Sequence, residues 1–373
     1  MKGGSARRWL GLGALATVVA GTAFAAWRAA ERRPVFPAER WSWKAPEAAG
    51  FSAAKLQAFS AKAGGIGCLV HGGEMIHAWG DVAFRGDVAS SAKPIYAYLV
   101  FKALEEGRIG SLDDRVERWA PEIRELNGQE GYPDRDITFR HLLSQTSGYG
   151  LEERPGEAFA YNDYATALLA WTVFHRVYEC PRGLDDAVLN GDLLGKAIGF
   201  EDAPTVVHRH SRPYRVRISA RDQARFALLY LRGGEWDGQR LLSEDLFRQA
   251  LGEPLPLDFP RTSSQEAEMV AGARSLGGGK DEKHHLGCLG GYWWHNRVTP
   301  DGTRLLPDAP PGTFFGSGHG GRFAMIVMPE LDLIAVWADV YEHEDWTPLE
   351  EIGRHRLNET IRELLAARIE AKP

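Results

Sequence analysis

A serine and a lysine stand three residues apart in Ser90-Ser91-Ala92-Lys93, at the head of an apolar run that we predict to be a helix ending near Gly107. Residues three apart on a helix share one face, so the two side chains come within reach of each other. A serine hydroxyl needs a nearby base to become a nucleophile, and a lysine in a dry pocket can serve directly or through a relay. The start of a helix also offers backbone N–H groups to an oxyanion. The stretch is a candidate nucleophile, although Ser-x-x-Lys is common by chance and an ordinary surface helix start is the plain alternative.

Two other stretches carry residues of the same chemical use. Tyr161 stands beside Asn162-Asp163 in a region that is predicted to be helical. The stretch His319-Gly320-Gly321 comes just before a predicted strand, where two glycines allow the backbone to approach a ligand closely. A phenol and an imidazole are groups that move protons in catalysis.

The composition is that of a globular protein. The chain has 373 residues, of which 44% are hydrophobic and 25% charged, and its net charge of −6 gives no basic surface for nucleic acid. Cys68, Cys180 and Cys288 are far apart and odd in number, so neither a metal spacing nor a disulfide framework follows from them. One pair bridging in an oxidising compartment and buried thiols are both open alternatives.

The elements that must position these residues predict an α+β fold. Strands are expected near both ends of the chain, as a hairpin around Gly72-Gly73 and as two strands joined by a turn at 329–332. The region between them has few strand patterns and predicts helices. We therefore expect an antiparallel sheet flanked by helices, built from the two ends of the chain, with an inserted mostly helical domain. The predicted boundaries are 36–89 and 211–373 for the sheet domain and 90–210 for the helical domain.

The N-terminal residues 1–35 predict a signal peptide or a membrane anchor followed by a linker. Lys2, Arg7 and Arg8 precede an uncharged run from Trp9 to Trp27. The run is long for a signal core, so cleavage and retention as one spanning helix are both open. In either case the basic end stays inside, and we expect the rest of the chain to be exported, either periplasmic or anchored in the cytoplasmic membrane with the catalytic domain outside.

The three chemical stretches together resemble the serine β-lactamase and penicillin-binding-protein superfamily, specifically its class C-like branch of β-lactamase-related hydrolases and esterases. That family carries Ser-x-x-Lys, then Tyr-x-Asn, then Lys-Thr-Gly or His-x-Gly at the sheet edge, and the order and spacing here agree. The resemblance covers about residues 46 to 365 and implies a β-lactamase/transpeptidase-like fold. Further matching stretches are 104–114, 137–148, 219–234 and 318–321.

The resemblance implies a role for each residue of the first two motifs. Ser90 would attack an ester or amide carbonyl and form an acyl-enzyme. Lys93 would ease removal of the serine proton, by its charge or as a base. Tyr161 would be the partner base and proton shuttle, because nearby cations favour the ionised phenol.

The same resemblance implies the oxyanion hole and the substrate-binding turn. The backbone N–H groups of Ser90 and Arg322 would stabilise the oxyanion. The turn His319-Gly320-Gly321 would line the site, with the imidazole able to donate a hydrogen bond to the substrate. No cofactor and no metal are implied.

The sequence departs from the family pattern at three positions. Asp163 stands where the family has asparagine, and an ionised carboxylate cannot donate a hydrogen bond to a penicillin-type amide. His319 stands where many members have lysine, so that motif lacks a fixed cation for a substrate carboxylate. Pro94 follows Lys93 directly, as in esterase-like members. Ser91 is a rival nucleophile only if the register slips.

Several other features are set aside as ordinary. His284 and His285 with Cys288 lie in a polar, glycine-rich loop, where solvated residues are favoured over metal ligands. His208 and His210 are expected on the surface. Five aromatic residues are open between an acyl pocket and core packing: Tyr149, Trp293, Trp294, Phe314 and Phe315.

Two hypotheses follow. The first is a serine hydrolase that cleaves small esters or amides through an acyl-enzyme on Ser90, with esterase or amidase activity favoured over β-lactamase or D,D-peptidase. The second is a non-catalytic, penicillin-binding-protein-like binding or cell-wall-sensing protein, motivated by Asp163 and by the missing lysine of the third motif. The intact Ser90, Lys93 and Tyr161 favour the first. Oligomeric state does not follow from the sequence.

Overall fold

Seven antiparallel strands form the central sheet of the computed structural model, which describes residues 34–209, 212–275, 287–338 and 354–369. The sheet order is β2-β1-β12-β11-β10-β9-β8. Its strands are β1 (Ile66–His71), β2 (Glu74–Trp79), β8 (Leu289–Gly290), β9 (Trp293–His295), β10 (Phe314–Gly318), β11 (Phe323–Met328) and β12 (Leu333–Ala338). A three-stranded sheet has the order β3-β5-β4, with β3 (Gly86–Asp87), β4 (Thr205–Arg209) and β5 (Arg212–Ile218). A two-stranded ribbon pairs β6 (Glu235–Trp236) with β7 (Gln239–Arg240).

Nine α-helices are described around these sheets. They are α1 (Ala53–Ala63), α2 (Lys93–Glu105), α3 (Phe139–Leu143), α4 (Asp163–Thr172), α5 (Asp185–Asn190), α6 (Gly195–Ile198), α7 (Ala220–Leu231), α8 (Glu244–Leu251) and α9 (Arg354–Ala366). Serine side chains cap α1 and α7, since Ser52 accepts from Lys55 N and Ser219 accepts from Asp222 N. Each such cap satisfies one N–H group that the helix itself leaves without a partner.

The central sheet separates two hydrophobic cores because alternate residues of a strand point to opposite faces. Val70 and Val336 belong to the core that also contains α2, α4 and α7. Leu69 and Ala335 belong to the second core, which α1 and α9 cover. Every residue of β12 is buried, as expected for a strand with apolar layers on both sides.

The α+β fold is confirmed, with one antiparallel sheet drawn from both ends of the chain. The region 90–210, which was expected to be mostly helical, also contains strand β4, which pairs with β5. Strand β4 is short and partly exposed, and its sequence has no strong alternation of apolar and polar residues. Its strand conformation therefore depends on pairing with β5. The described residues from Phe36 onward belong to one compact unit, and the division into a sheet domain and a helical domain stays a prediction.

Among the described residues, no helix combines the length and apolarity needed to cross a membrane. The apolar run Trp9–Trp27 of the predicted N-terminal leader lies outside the described residues. The three cysteines all lie within the described part of the chain, and none of them forms a disulfide.

Candidate active site

Ser90 lies in a tight 3-10 turn, Ala89–Ala92, that leads directly into α2. Ala89 adopts a left-handed conformation with φ 52°, which is costly for a residue with a Cβ. Asp87 holds this turn, because its Oδ1 accepts from the N–H of Ala89 at 2.9 Å. Arg215 on β5 fixes Asp87 in turn, with Nε 3.1 Å from both carboxylate oxygens and Nη2 2.7 Å from Oδ1. A strained backbone held by a buried ion pair is typical of a functional turn.

The neighbouring serine has a structural role. Ser91 is fully buried; its hydroxyl donates to Val88 O at 2.7 Å and accepts from Gln223 Nε2 at 3.0 Å. Its donor and one acceptor site are therefore satisfied inside the protein. Of the two serines, the partly exposed Ser90 faces the lysine, as the spacing predicted.

The ammonium of Lys93 joins the predicted residues into one group. It donates to Ser90 Oγ at 3.3 Å and to Asp163 Oδ1 at 2.9 Å. It also lies 4.1 Å from the centre of the Tyr161 ring, within the range of a cation–π interaction. Residues 90, 93, 161 and 163 are thus brought together. They come from the turn Ala89–Ala92, which we call the nucleophile turn, from α2 and from the start of α4.

The ion pair decides the charge of the lysine. Burial alone would lower the pKa of Lys93, but the carboxylate of Asp163 more than compensates and the net pKa is raised. Burial would likewise raise the pKa of Asp163, but the charge and hydrogen bond of Lys93 prevail and lower it to about 2. Lys93 is therefore an ammonium and Asp163 a carboxylate at neutral pH.

The start of α4 explains why Asp163, not Asn162, faces the site. Asn162 is the N-cap of this helix, and its Oδ1 accepts from Ala165 N at 3.1 Å. Its own N–H donates to Gln145 Oε1 at 2.8 Å. The Asn162 side chain is therefore committed to the start of the helix. Tyr161 is 7% exposed and packs on Trp294, with ring centres 5.3 Å apart.

The edge of β10 lies against the nucleophile turn. Strand β9 pairs with β10 at Phe314 and Phe315. On that side of β10, no strand pairing is described for residues 316–318 within the part of the chain that the structure describes. A Cβ added to Gly316 would lie 2.7 Å from Ser91 O, and one added to Gly318 would lie 3.0 Å from Ser90 N. These two glycines permit the close approach of β10 to the turn Ala89–Ala92, and the approach of Gly320 and Gly321 to a ligand stays a prediction.

His319 follows Gly318 directly and begins the turn between β10 and β11, with φ 49°. Burial, followed by the charges of Arg215 and Arg212, lowers the pKa of His319 to about 4, so its imidazole is neutral at pH 7. The N–H of Arg322 donates to His319 O at 3.4 Å inside this turn. The assignment of Arg322 to the oxyanion hole stays a prediction, and the β10 edge at Gly318 is the backbone that adjoins Ser90.

A small cavity opens beside Ser90, and sequence reasoning missed half of its wall. Lys93 and Asp163 line it together with Tyr214, Arg212 and Arg215 from the start of β5. The stretch Arg212–Arg215 belongs to none of the three family motifs named above. The sequence pattern that could have identified them is the cluster of basic residues at the start of the short strand β5.

The other candidates are ordinary, with one exception. Tyr149, Trp293, Phe314 and Phe315 are core residues, and only Trp294 among the five aromatics packs on a site residue. His208 is exposed, as expected, and its Nε2 lies 3.1 Å from Asp185 Oδ2. His210, His284 and His285 lie outside the described residues.

Comparison with known proteins was made on both sequence and structure. The Beta-lactamase family model matches residues 53–338, which is more than half of the chain. No curated protein sequence matches.

Among solved structures, a Bacteroides dorei protein described provisionally as a beta-lactamase is similar, with TM-score 0.58, 18% identity and coverage of 85% of this chain and 99% of that chain. A penicillin-binding-protein homologue from Caulobacter crescentus gives TM-score 0.56, 14% identity and coverage of 84% and 97%. A Bacillus anthracis protein provisionally described as a 6-aminohexanoate-dimer hydrolase gives TM-score 0.52 and 16% identity, with coverage of 81% of this chain and 81% of that chain. At these identities the likeness shows a shared fold.

Proposed function

The chain belongs to the beta-lactamase family of serine hydrolases, and from that premise we propose that it forms an acyl-enzyme through Ser90 and cleaves small esters or amides. The observation that carries this proposal is the contact of the Lys93 ammonium with Ser90 Oγ, Asp163 and the Tyr161 ring. A nucleophile, a positive charge beside it and a phenol in contact with that charge are parts that acyl transfer needs.

The chemistry follows from the charges. Lys93 donates a hydrogen bond to Ser90 Oγ and, as an ammonium paired with Asp163, is not free to take the serine proton. A positive charge beside a phenol favours its ionised form, so Tyr161 is the base of this proposal. The serine proton passes to the Tyr161 oxygen as the Ser90 Oγ–carbon bond forms.

The tetrahedral intermediate then collapses. The bond to the leaving group breaks, and Tyr161 returns the proton to that group. The backbone N–H of Ser90 supports the oxyanion, together with a second donor from the β10 edge or the turn after it. Water repeats the sequence on the acyl-enzyme, which releases the acid and restores Ser90.

Esterase or amidase activity is favoured over β-lactamase activity. His319 is neutral at pH 7, so the third motif supplies no fixed cation. Asp163 is bound to Lys93 and has no proton to donate to a side-chain amide. A higher rate on nitrocefin than on a p-nitrophenyl acyl ester would reverse this order.

The place of action is also part of the proposal. The basic residues before the apolar run Trp9–Trp27 support export, with the leader either cleaved or kept as an anchor. N-terminal sequencing of the protein from cell fractions would decide between these two outcomes.

The experiment is labelling with a fluorophosphonate, followed by mass spectrometry of the labelled peptide. The wild type should carry the adduct on Ser90 and hydrolyse p-nitrophenyl esters, while Ser90→Ala should do neither. Ser91→Ala is the matched control: it should still be labelled, because Ser91 makes only internal hydrogen bonds. A wild type without an adduct on Ser90 would contradict the proposal and favour a non-catalytic binding protein.

A further inference from the structure

Ala89 is the strained position of the nucleophile turn. Its φ of 52° lies in the left-handed region, which an alanine adopts at a cost because of its Cβ. The peptide that follows Ala89 carries the N–H of Ser90, the proposed oxyanion donor. Because that peptide is planar, a rotation at Ala89 turns the N–H of Ser90 and moves its hydroxyl as well. The conformation of Ala89 therefore sets the alignment of the nucleophile.

The two halves of the turn are held by different groups. In the second half, the N–H and the hydroxyl of Ser91 both donate to Val88 O, at 3.2 and 2.7 Å. At the start, the N–H of Ala89 donates at 2.9 Å to Oδ1 of Asp87, two residues earlier in the chain. This is an Asx-turn, in which a side-chain oxygen takes the place of a backbone acceptor. The strained residue is thus held by a side chain.

Three N–H groups donate to the same oxygen of Asp87. Besides Ala89 N, Oδ1 accepts from Nε of Arg215 at 3.1 Å and from Nη2 at 2.7 Å, and Nε also lies 3.1 Å from Oδ2. Burial would raise the pKa of Asp87, but the charge and hydrogen bonds of Arg215 prevail and lower it, so the group is a carboxylate at neutral pH. The guanidinium fork fixes the plane of this carboxylate, and with it the direction in which Oδ1 meets Ala89.

The pair belongs to the scaffold and to none of the three family motifs. Asp87 lies on β3 and Arg215 lies on β5, and the two strands pair antiparallel. Both side chains are largely buried, with 16% of Asp87 and 11% of Arg215 exposed, so water competes little for their hydrogen bonds. Strand pairing therefore brings a rigid acceptor to the first residue of the nucleophile turn.

We propose that Asp87 and Arg215 are positioning residues for Ser90, because the pair holds Ala89 in its left-handed conformation and thereby aligns the nucleophile for acylation. This inference rests on the function proposed above and adds two residues to that same site. It assigns two separable roles to Asp87. The oxygen that meets Ala89 controls the rate of acylation, and the charge that meets Arg215 controls stability.

The test compares two substitutions of Asp87 that remove the same charge. Asp87→Asn keeps an oxygen for the N–H of Ala89, and Asp87→Ala does not. Both leave Arg215 without its charged partner, so both should lower the melting temperature. The rate constant for fluorophosphonate labelling of Ser90 should fall by about 10²-fold in Asp87→Ala, the usual cost of a small misalignment. Asp87→Asn should be labelled at least about tenfold faster than Asp87→Ala.

Ala89→Gly supplies a readout that the loss of a buried ion pair would not move. Glycine adopts positive φ without the penalty of a Cβ, so it needs no side chain to hold it there. The double variant Asp87→Ala/Ala89→Gly should be labelled about tenfold faster than Asp87→Ala, the factor that corresponds to the left-handed penalty of one residue. Its melting temperature should stay below that of the wild type, because Arg215 is still unpaired.

Asp202→Ala is the matched control. Asp202 also binds an arginine with both oxygens, since Arg221 Nε lies 2.7 Å from Oδ2 and Nη2 donates to Oδ1. Its side chain is 11% exposed, close to the value for Asp87, and it does not line the cavity beside Ser90. Its loss should lower the melting temperature and leave the labelling rate near that of the wild type.

Three results would overturn the inference: equal labelling of Asp87→Asn and Asp87→Ala, no gain in rate from Ala89→Gly in the double variant, or an equal slowing in Asp202→Ala. Circular dichroism shows whether each variant is folded. If Asp87→Ala is not folded, Arg215→Lys takes its place, since a lysine keeps a charge for Asp87 but not the fork. Arg215→Lys should then be labelled slowly and gain rate when Ala89→Gly is added, and a wild-type rate in Arg215→Lys would overturn the inference.

The same measurements separate this inference from the proposed function. A wild type that is labelled on Ser90, with variants of Asp87 that are labelled equally fast, rejects the positioning role alone. A wild type that is not labelled on Ser90 rejects the proposed function as well.

Discussion

The Lys93 ammonium lies 2.9 Å from the carboxylate of Asp163, closer than the 3.3 Å that separates it from Ser90 Oγ. This ion pair helps to raise the pKa of the lysine in the Ser-x-x-Lys motif, so Lys93 is an ammonium at neutral pH, which supports the proposal that Tyr161 is the base. It also stabilises the fold, since Lys93 is buried and its charge would otherwise stand alone.

Asp163→Ala should therefore destabilise the protein by about 3–5 kcal/mol, the usual cost of leaving a buried charge without its partner. Urea unfolding at pH 7 measures it. Asp113→Ala is the control, because its pair with Arg140 is exposed at 64% and 53%. That loss should be below about 1 kcal/mol. Similar losses in the two variants would show that the Lys93–Asp163 pair is not buried in solution.

The contribution of the Lys93–Asp163 pair to the free energy of unfolding should decrease as the pH falls below 4. The pKa of Asp163 is about 2 in the folded protein and near 4 in the unfolded chain, so its stabilisation is present above pH 4 and lost toward pH 2. The pKa of Lys93 is raised, so its part is present below its usual pKa and lost only as pH rises through the raised value. The difference in unfolding free energy between wild type and Asp163→Ala should stay level from about pH 5 to 7 and shrink below pH 4. A difference that grows toward acid would contradict this assignment.

Tyr161→Phe should lower kcat by about 10²- to 10⁴-fold, the range expected for losing a positioned general base. The phenylalanine keeps the ring that contacts Lys93 and Trp294, so the melting temperature should change little. Steady-state kinetics and thermal unfolding on the same sample separate the two effects. Retention of wild-type kcat would remove Tyr161 from the proton path.

His319→Gln should weaken the acid dependence of stability. The folded pKa of His319 is about 4 and that of the unfolded chain is near 6.5, so between these values only the unfolded chain binds the proton. Stability therefore falls as pH drops from 6.5 toward 4, by up to about 1.4 kcal/mol per pH unit for this one group. The variant should show a smaller slope over that window in urea titrations. An unchanged slope would place His319 in water rather than in the site.

Gly318→Ala should impair acylation, because the new Cβ would lie 3.0 Å from Ser90 N and 2.8 Å from the Ala89 Cβ. The nucleophile turn must then shift, and displacements of this size are costly for a reaction that depends on alignment. Burst kinetics with a p-nitrophenyl ester measure the acylation rate, which should fall by about 10²-fold. Gly86→Ala is the control, since its added Cβ would make only ordinary contacts, at 3.4 Å and beyond, with the Phe84 ring. Equal rates in both variants would mean that β10 does not support Ser90.

The sequence predicts those features of the fold that depend on residues close together in the chain. The strand pairs at both ends, the turn at 329–332 and the serine caps of α1 and α7 all follow from periodicity and turn chemistry, and each is present. The spacing of Ser90 and Lys93 on one turn was sufficient to predict their contact.

The parts that sequence reasoning missed depend on contacts between distant segments. Asp87 and Arg215 meet only because β3 pairs with β5, and neither residue belongs to a motif. Arg212 lines the cavity from the start of β5, and no family motif includes that strand. Gly318 was overlooked because closeness to Ser90 is a property of packing, and no local pattern encodes it.

The pairing of β1 with β12 has a consequence for how the molecule is made. These strands are separated by most of the polypeptide, so a ribosome releases β1 long before its neighbour exists. Until then the apolar faces of the β1–β2 hairpin are uncovered, and α2 has no finished layer to rest on. The nucleophile is thus assembled only after β11 and β12 have been made, and a nascent chain stalled before residue 333 should be both inactive and dependent on chaperones.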